Sequence, residues 1–205
     1  GALHIIVPDR LKPENIARHL LGMPDIGKNK AIALADHLRA QYPHLHIESH
    51  DSSVWNWPEV FKVKTLVINA TGVISVGLGL EEMRSAQSAS APILHSWIEG
   101  HGLASTAFFS SGKSGDACFR CLLPYRPEGY RFRCTIAKAE ADVEPVFQGC
   151  HQSFFPYLVI ASNAAAGQAM AMIADWLNNR LKSTLQYNIL RPELVENRPD
   201  GTPKQ

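Results

Sequence analysis

The sequence predicts an α/β fold, a mostly parallel sheet with helices on both faces. Through the first half, strand-like runs alternate with stretches of helical periodicity. The strand runs are apolar throughout instead of alternating, as strands buried on both faces are. A chain of 205 residues, 45% hydrophobic and 19% charged, is long enough for one medium-sized core.

Taken in order, Leu3 to Val7 has a strand's composition, and Pro8-Asp9-Arg10 turns the chain. Ile16 to Leu21 gives one or two helical turns, closed by Gly22. From Lys28 to Tyr42 a clearer helix follows, with Ala31, Leu34, Ala35, Leu38 and Tyr42 at helical spacing and Pro43 ending it. His46 to Ser49 reads as a short strand, residues 52–60 as a loop or helical turn, and Thr65 to Asn69 as a buried strand ending in Ala70-Thr71-Gly72. Ser75 to Ala89 forms the next helix, in which Gly77 and Gly79 cost about 1 kcal/mol each relative to alanine. Pro92 to Ile98 and Leu103 to Ser110 are further strands. Residues 110–115 form a Gly/Ser-rich loop or hairpin, and residues 116–156 are irregular and hold all four cysteines. Ala161 to Lys182 is a long Ala-rich helix presenting Ala165, Ala169, Met172, Ile173, Trp176 and Leu181 on one face, and Leu185 to Leu190 adds a last strand. The organisation expected is one domain over residues 1–190 and a frayed polar tail over 191–205.

Twenty Lys and Arg balance 19 Asp and Glu, so no electrostatic footprint for nucleic acid or an anionic membrane is present. The apolar region around Phe154 to Met172 is interrupted by Pro156, Ser162, Asn163, Gly167 and Gln168, which argues against a membrane span. Four cysteines are too few to staple a secreted fold of this length, and the expected location is the cytoplasm. Leu3 begins in what reads as the middle of a buried strand. The expectation is therefore a short scar at Gly1-Ala2, or a chain that is a piece of something longer.

In an open α/β sheet, ligands gather at the carboxyl ends of strands. Asp9 and Asn69 stand there. Asp9 reads either as a ribose ligand or as a turn-forming aspartate. Arg18, Lys28 and Lys30 suit a phosphate near a helix start, or else a solvated face. No GxGxxG or GxxxxGK[ST] loop joins a strand to a helix here, so the usual phosphate cradle for a nucleotide lies outside these residues. Cys118-Phe119-Arg120-Cys121 is half a zinc site, a redox pair or a buried turn. Cys150, beside His151 and before the long helix, suits a nucleophile. Cys134, flanked by Arg131 and Arg133, is a second candidate, and a small buried hydrophobe is the plain alternative for either. The nine histidines form no convincing helical His-x-x-x-His pair, and no Gly-x-Ser-x-Gly elbow is present.

Six segments in order resemble the ThiF/MoeB family of ATP-dependent activators of ubiquitin-like and sulfur-carrier proteins. They are Asp9, Asn15 to His19, Asp25 to Ala31, Asn69 to Gly72, Ala117 to Leu122, and Gly149-Cys150 leading to the helix with Gln168-Ala169. The resemblance implies a Rossmann-like sheet lacking its first βα unit, so that Leu3 begins the second strand. It implies adenylation of the C-terminal tail of a small partner protein by MgATP, and transfer of the acyl group to a cysteine as a thioester. Asp9 would hold the ribose, and Asn15, Arg18 and Lys30 the phosphates, with Asn69 standing where the family has an aspartate that helps with Mg. Cys150 would be the thioester nucleophile, with Cys134-Thr135 as the second candidate. Cys118 and Cys121 would be half of a zinc site whose second Cys-x-x-Cys is missing, or a vestigial or disulfide-linked pair. A homodimer is expected, and by analogy a fused ubiquitin-conjugating-like domain. The leading reading is an incomplete and inactive fragment of an adenylating enzyme. The others are a catalytically inactive scaffold or dimerisation subunit of the same family, and a dinucleotide-binding domain.

Overall fold

The computed structural model describes residues 1–62, 65–123, 125–126, 129–130, 146–148, 152–154 and 157–195. The chain divides into two compact units, Gly1–Val60 and Phe61–Gln205.

In the first unit β1 (Ala2–Ile6) and β2 (His46–His50) pair in parallel, and α1 (Lys30–Gln41) makes the crossover. Ala31 and Ala35, one turn apart on α1, are fully buried on one side of the helix, and Ala33 is buried on the other side against Leu11 and Leu21 of the β1–α1 connection. Tyr42 is not buried with them. It caps the helix at φ −129° and ψ 67°, so its side chain no longer follows helical spacing and is 44% exposed.

Asn29 ties the unit together at the carboxyl end of β1. Its Oδ1 accepts from Ala31 N and Ile32 N, capping α1, while Nδ2 donates to Val7 O and to Asp51 Oδ1. Between β1 and α1 the chain makes two 3-10 turns, Pro13–Arg18 and Met23–Asp25. It closes on itself through Leu11 N to Lys28 O and Gly27 N to Leu11 O, both 2.9 Å. Gly27 holds φ +83°, a region that a side chain would strain.

The second unit is built on a four-stranded sheet of order β10-β5-β4-β3, with β3 (Val67–Asn69), β4 (Ile93–Ile98), β5 (Ala104–Ser110) and β10 (Leu185–Ile189). β3 and β4 are parallel, joined by α2 (Ile74–Ala86). From there the direction changes: β4 with β5 and β5 with β10 are antiparallel. Only the short turn Gly100–Gly102 and its flanks connect β4 to β5, and a parallel pair needs a crossover of a dozen residues or more. Two small antiparallel pairs, β6 (Tyr125–Arg126) with β7 (Gly129–Tyr130) and β8 (Val146–Gln148) with β9 (Gln152–Phe154), come before the helix α3 (Val159–Leu177).

Both faces of the larger sheet are covered, as expected. Leu94, Ala107 and Phe109 pack against Ala169, Met172 and Ile173 of α3. On the opposite face Trp97 and Phe108 pack with Phe119, Leu122 and Leu123, and with Ile74 and Leu78 of α2. Gly77 of α2 is where the Phe119 ring rests: a Cβ there would stand 2.3 Å from the ring. Val195, 1% exposed, packs on Leu103 and Ala104, and the rest of the tail expected to fray, residues 196–205, lies outside the described residues. Among the described residues no helix is long and apolar enough to cross a membrane.

Candidate functional site

In the first unit the end of β1 brings Asp9 to Lys30. Lys30 N donates to Asp9 O at 2.9 Å, and Lys30 Nζ lies 3.4 Å from Asp9 Oδ2. The Asp9 carboxylate is 69% exposed and thus presented to solvent. Asn15 and Arg18, both half-buried, sit on the 3-10 turn that follows. Asn15 Oδ1 accepts from Lys12 N. Burial first, and the Lys30 charge second, hold the His19 imidazole below its ordinary pKa, which favours the neutral ring beside Lys30. Lys28 is engaged differently, with Nζ 2.9 Å from Asp25 Oδ1. The start of α1 is not an open anion site, because the Asn29 side chain takes the amides of Ala31 and Ile32. A phosphate at this end would be met by side chains.

In the second unit Asn69 closes β3. It is 6% exposed and held at both ends of its amide. Oδ1 accepts from Thr71 N at 3.2 Å and from Thr71 Oγ1 at 2.8 Å, which turns Nδ2 toward His95 Nδ1 at 3.1 Å. His95 Nδ1 is then an acceptor, and Nε2 carries the proton toward Glu81 Oε1 at 3.3 Å. Glu81 also accepts from Phe119 N and from Arg84, and Arg84 continues to Ser110 O and Oγ. Burial holds His95 below its usual pKa, in keeping with a neutral ring, although the Glu81 carboxylate opposes it. Burial alone would raise Glu81, but hydrogen bonds from His95 and Ser110, then the Arg84 charge, bring it below the ordinary carboxylate value.

This buried chain fixes the Asn69-Thr71-Gly72 turn, and above it opens a small cleft lined by Asn69, Gly72, Val73, His95, Ser96, Trp97 and Phe119. Asn69 therefore builds the turn. Both ends of its amide are committed within the protein, and residues 69–73 carry no carboxylate for magnesium. Glu81, Arg84 and His95 were not anticipated. Their signal is in the sequence all the same: Gly77, Leu80, Glu81 and Arg84 recur at i, i+3, i+4, i+7, which puts two charges on the buried stripe of α2.

Cys118 and Cys121 are free thiols with Sγ atoms 3.8 Å apart and no disulfide between them. Two thiolates on one tetrahedral zinc, with Zn–S of about 2.3 Å, stand at about that separation. Cys134 and Cys150 lie outside the described residues.

The profile of the ThiF family matches residues 1–205. The chain belongs to the ThiF family. Among curated proteins it is 32% identical over 190 residues to the "ATP-dependent ubiquitin transferase-like protein Cap2" of Pseudomonas aeruginosa, covering 93% of this chain and 33% of that one. It is 27% identical over 195 residues to the protein of the same name from Escherichia coli, covering 93% and 32%. The ThiF chain thus spans about a third of the length of these relatives. Two crystal structures share its fold. One is PaaA, with 17% identity, a TM-score of 0.60 and coverage of 93% of this chain and 54% of that one. The other is E. coli MccB, with 12% identity, a TM-score of 0.62 and coverage of 100% and 60%. These likenesses establish the Rossmann-like α/β fold.

Proposed function

We propose that this ThiF chain contributes the nucleotide-contacting part of an ATP-dependent activator of a ubiquitin-like or sulfur-carrier protein. The observation that carries the reading is the Asp9–Lys30 pair at the end of β1, an exposed carboxylate beside an ammonium, in a chain whose family match spans its whole length. A carboxylate so placed accepts hydrogen bonds from vicinal hydroxyls, which fits a ribose, and Lys30 with Arg18 and Asn15 fits the phosphates. These 205 residues hold no glycine-rich phosphate loop joining a strand to a helix, so Lys30, Arg18 and Asn15 are the phosphate contacts they offer. ATP supplies the leaving group: the partner's terminal carboxylate forms a bond to the α-phosphorus as pyrophosphate departs. Lys30 and Arg18 offset the charge that builds on the phosphates. The thiolate of Cys150, or of Cys134, then attacks the acyl carbon and AMP leaves, giving a thioester. Magnesium enters with ATP, and Cys118 with Cys121 fits half of a structural zinc site. The working form is a cytoplasmic homodimer, acting on a partner with a flexible C-terminal tail and fused to a ubiquitin-conjugating-like domain.

A second reading, an inactive scaffold subunit, is favoured by Asn69, an amide committed to the fold where the resemblance expects an acid. Pyrophosphate exchange into ATP by the intact protein with its ubiquitin-like partner separates the two. Activity, and a reducible thioester lost in Cys150→Ala or Cys134→Ala, supports the enzyme. Neither signal supports the scaffold.

A further inference from the structure

Strand β2 reads His46-Ile47-Glu48-Ser49-His50. Alternate residues of a strand share a face, so His46, Glu48 and His50 stand together while Ile47, 4% exposed, turns into the core. Parallel pairing makes His4 of β1 the register partner of Glu48. Three potential ligand atoms converge as a result. His4 Nδ1 lies 3.2 Å from Glu48 Oε2 and 3.3 Å from His50 Nε2, and His50 Nε2 lies 3.9 Å from Glu48 Oε2.

Those separations have the size of a coordination polyhedron's edges. A tetrahedral ion with bonds of about 2.0–2.2 Å to nitrogen and oxygen sets its ligand atoms about 3.3–3.6 Å apart. The surroundings suit a ligand set as well. His46 Nε2 holds the other carboxylate oxygen, Glu48 Oε1, at 2.8 Å, the kind of outer contact that fixes a ligating carboxylate. The Trp57 indole stacks on His50 at 4.4 Å and lies tilted against His4 at 5.3 Å, centroid to centroid, restraining both rings. His4 is 11% exposed and Glu48 44%, which leaves one side of the cluster open to solvent.

We propose that His4, Glu48 and His50 form a zinc-class divalent metal site, with two imidazole nitrogens, one carboxylate oxygen and solvent in the fourth position. Two nitrogens and one oxygen favour zinc and its first-row neighbours over magnesium or calcium. Bound metal clips β1 to β2 across 44 residues of sequence and stabilises the first unit by mass action.

The test is a titration of the tag-free, metal-stripped 205-residue chain with Zn²⁺ against a chromophoric chelator, in a Cys118→Ser/Cys121→Ser background. The expected result is one equivalent bound, weakened about tenfold by His46→Gln and by more than that in His4→Gln, Glu48→Gln and His50→Gln. Co²⁺ in place of Zn²⁺ gives the visible absorption of a four-coordinate nitrogen and oxygen site, without thiolate charge-transfer bands, and Glu48→Gln removes it. Glu48 is half exposed, so Glu48→Gln with its circular dichroism spectrum decides the matter should the histidine variants unfold. Absence of stoichiometric binding, binding unchanged in Glu48→Gln, or a cobalt spectrum with thiolate bands overturns the proposal and leaves the cluster held by hydrogen bonds alone.

Discussion

Glu81 holds Arg84, His95 and the Phe119 amide at once, from a position 9% exposed. Removing its charge leaves the Arg84 guanidinium buried without a carboxylate. Glu81→Gln is expected to cost about 3–5 kcal/mol, read as a lower urea midpoint at unchanged slope. Glu99 behaves in the opposite sense. Burial pushes its carboxyl above the ordinary 4.5, only partly offset by hydrogen bonds from Trp97 and Thr106. A raised carboxyl favours the protonated form in the fold, so its contribution is present below the unfolded value and is lost as pH rises through the folded one. Glu99→Gln keeps an acceptor for Trp97 Nε1 and removes the titration. The variant should melt higher than the parent at pH 7.5, with the difference vanishing near pH 4. At this scale the placing of Asp9 at the end of β1 was legible, because the end of an apolar run is a local feature of sequence, whereas its pairing with Lys30 is made by the fold. The Glu81–His95 chain was not legible, because His95 reads as one more residue of an apolar strand until α2 packs over it. His46, Glu48 and His50 escape a helical His-x-x-x-His criterion for a simpler reason: on a strand, ligands recur at every second residue.

At the scale of elements, two helical glycines with the same sequence-level cost differ in what they do. In α2, alanine at Gly77 would add helix propensity of about 1 kcal/mol but drive its Cβ into the Phe119 ring. Overpacking costs about 1–3 kcal/mol, so Gly77→Ala is expected to destabilise. Gly167 in α3 has nothing within 4 Å of a built Cβ, and Gly167→Ala should stabilise by up to about 1 kcal/mol. Opposite signs in paired thermal melts are the check. Strand and helix positions were legible almost throughout, from apolar runs and helical spacing. Strand direction was less so: four residues between the runs ending at Ile98 and starting at Leu103 already require an antiparallel turn, a constraint of chain length that hydrophobicity does not carry. Likewise α3 stops at Leu177, after which Asn179 turns with φ +54°, while Leu181 packs on the core from beyond the helix.

For the molecule as a whole, the two functional readings diverge on one pair of residues. The Asp9–Lys30 pair is too exposed at its carboxylate to matter much to folding, since exposed ion pairs contribute about 0–1 kcal/mol. A role in nucleotide binding would give it a different weight. Losing one charge-assisted hydrogen bond to a ribose hydroxyl costs about 1.5–3 kcal/mol, and each 1.4 kcal/mol is tenfold in affinity. Asp9→Ala in the intact protein should therefore weaken ATP at least tenfold while leaving the melting temperature without ATP nearly unchanged. Lys30→Ala should lower the rate of pyrophosphate exchange at saturating ATP, because its charge is needed most as pyrophosphate departs. The scaffold reading gives the opposite expectation for both: unaltered partner assembly and no ATP dependence to lose. ATP titrations of the melting temperature of parent and variants, run beside the exchange assay, distinguish them, because a ligand that binds only the folded form raises stability in proportion to RT ln(1 + [L]/Kd). A parent whose melting temperature ignores millimolar ATP would remove Asp9 and Lys30 from the nucleotide site and leave the fold as this chain's contribution.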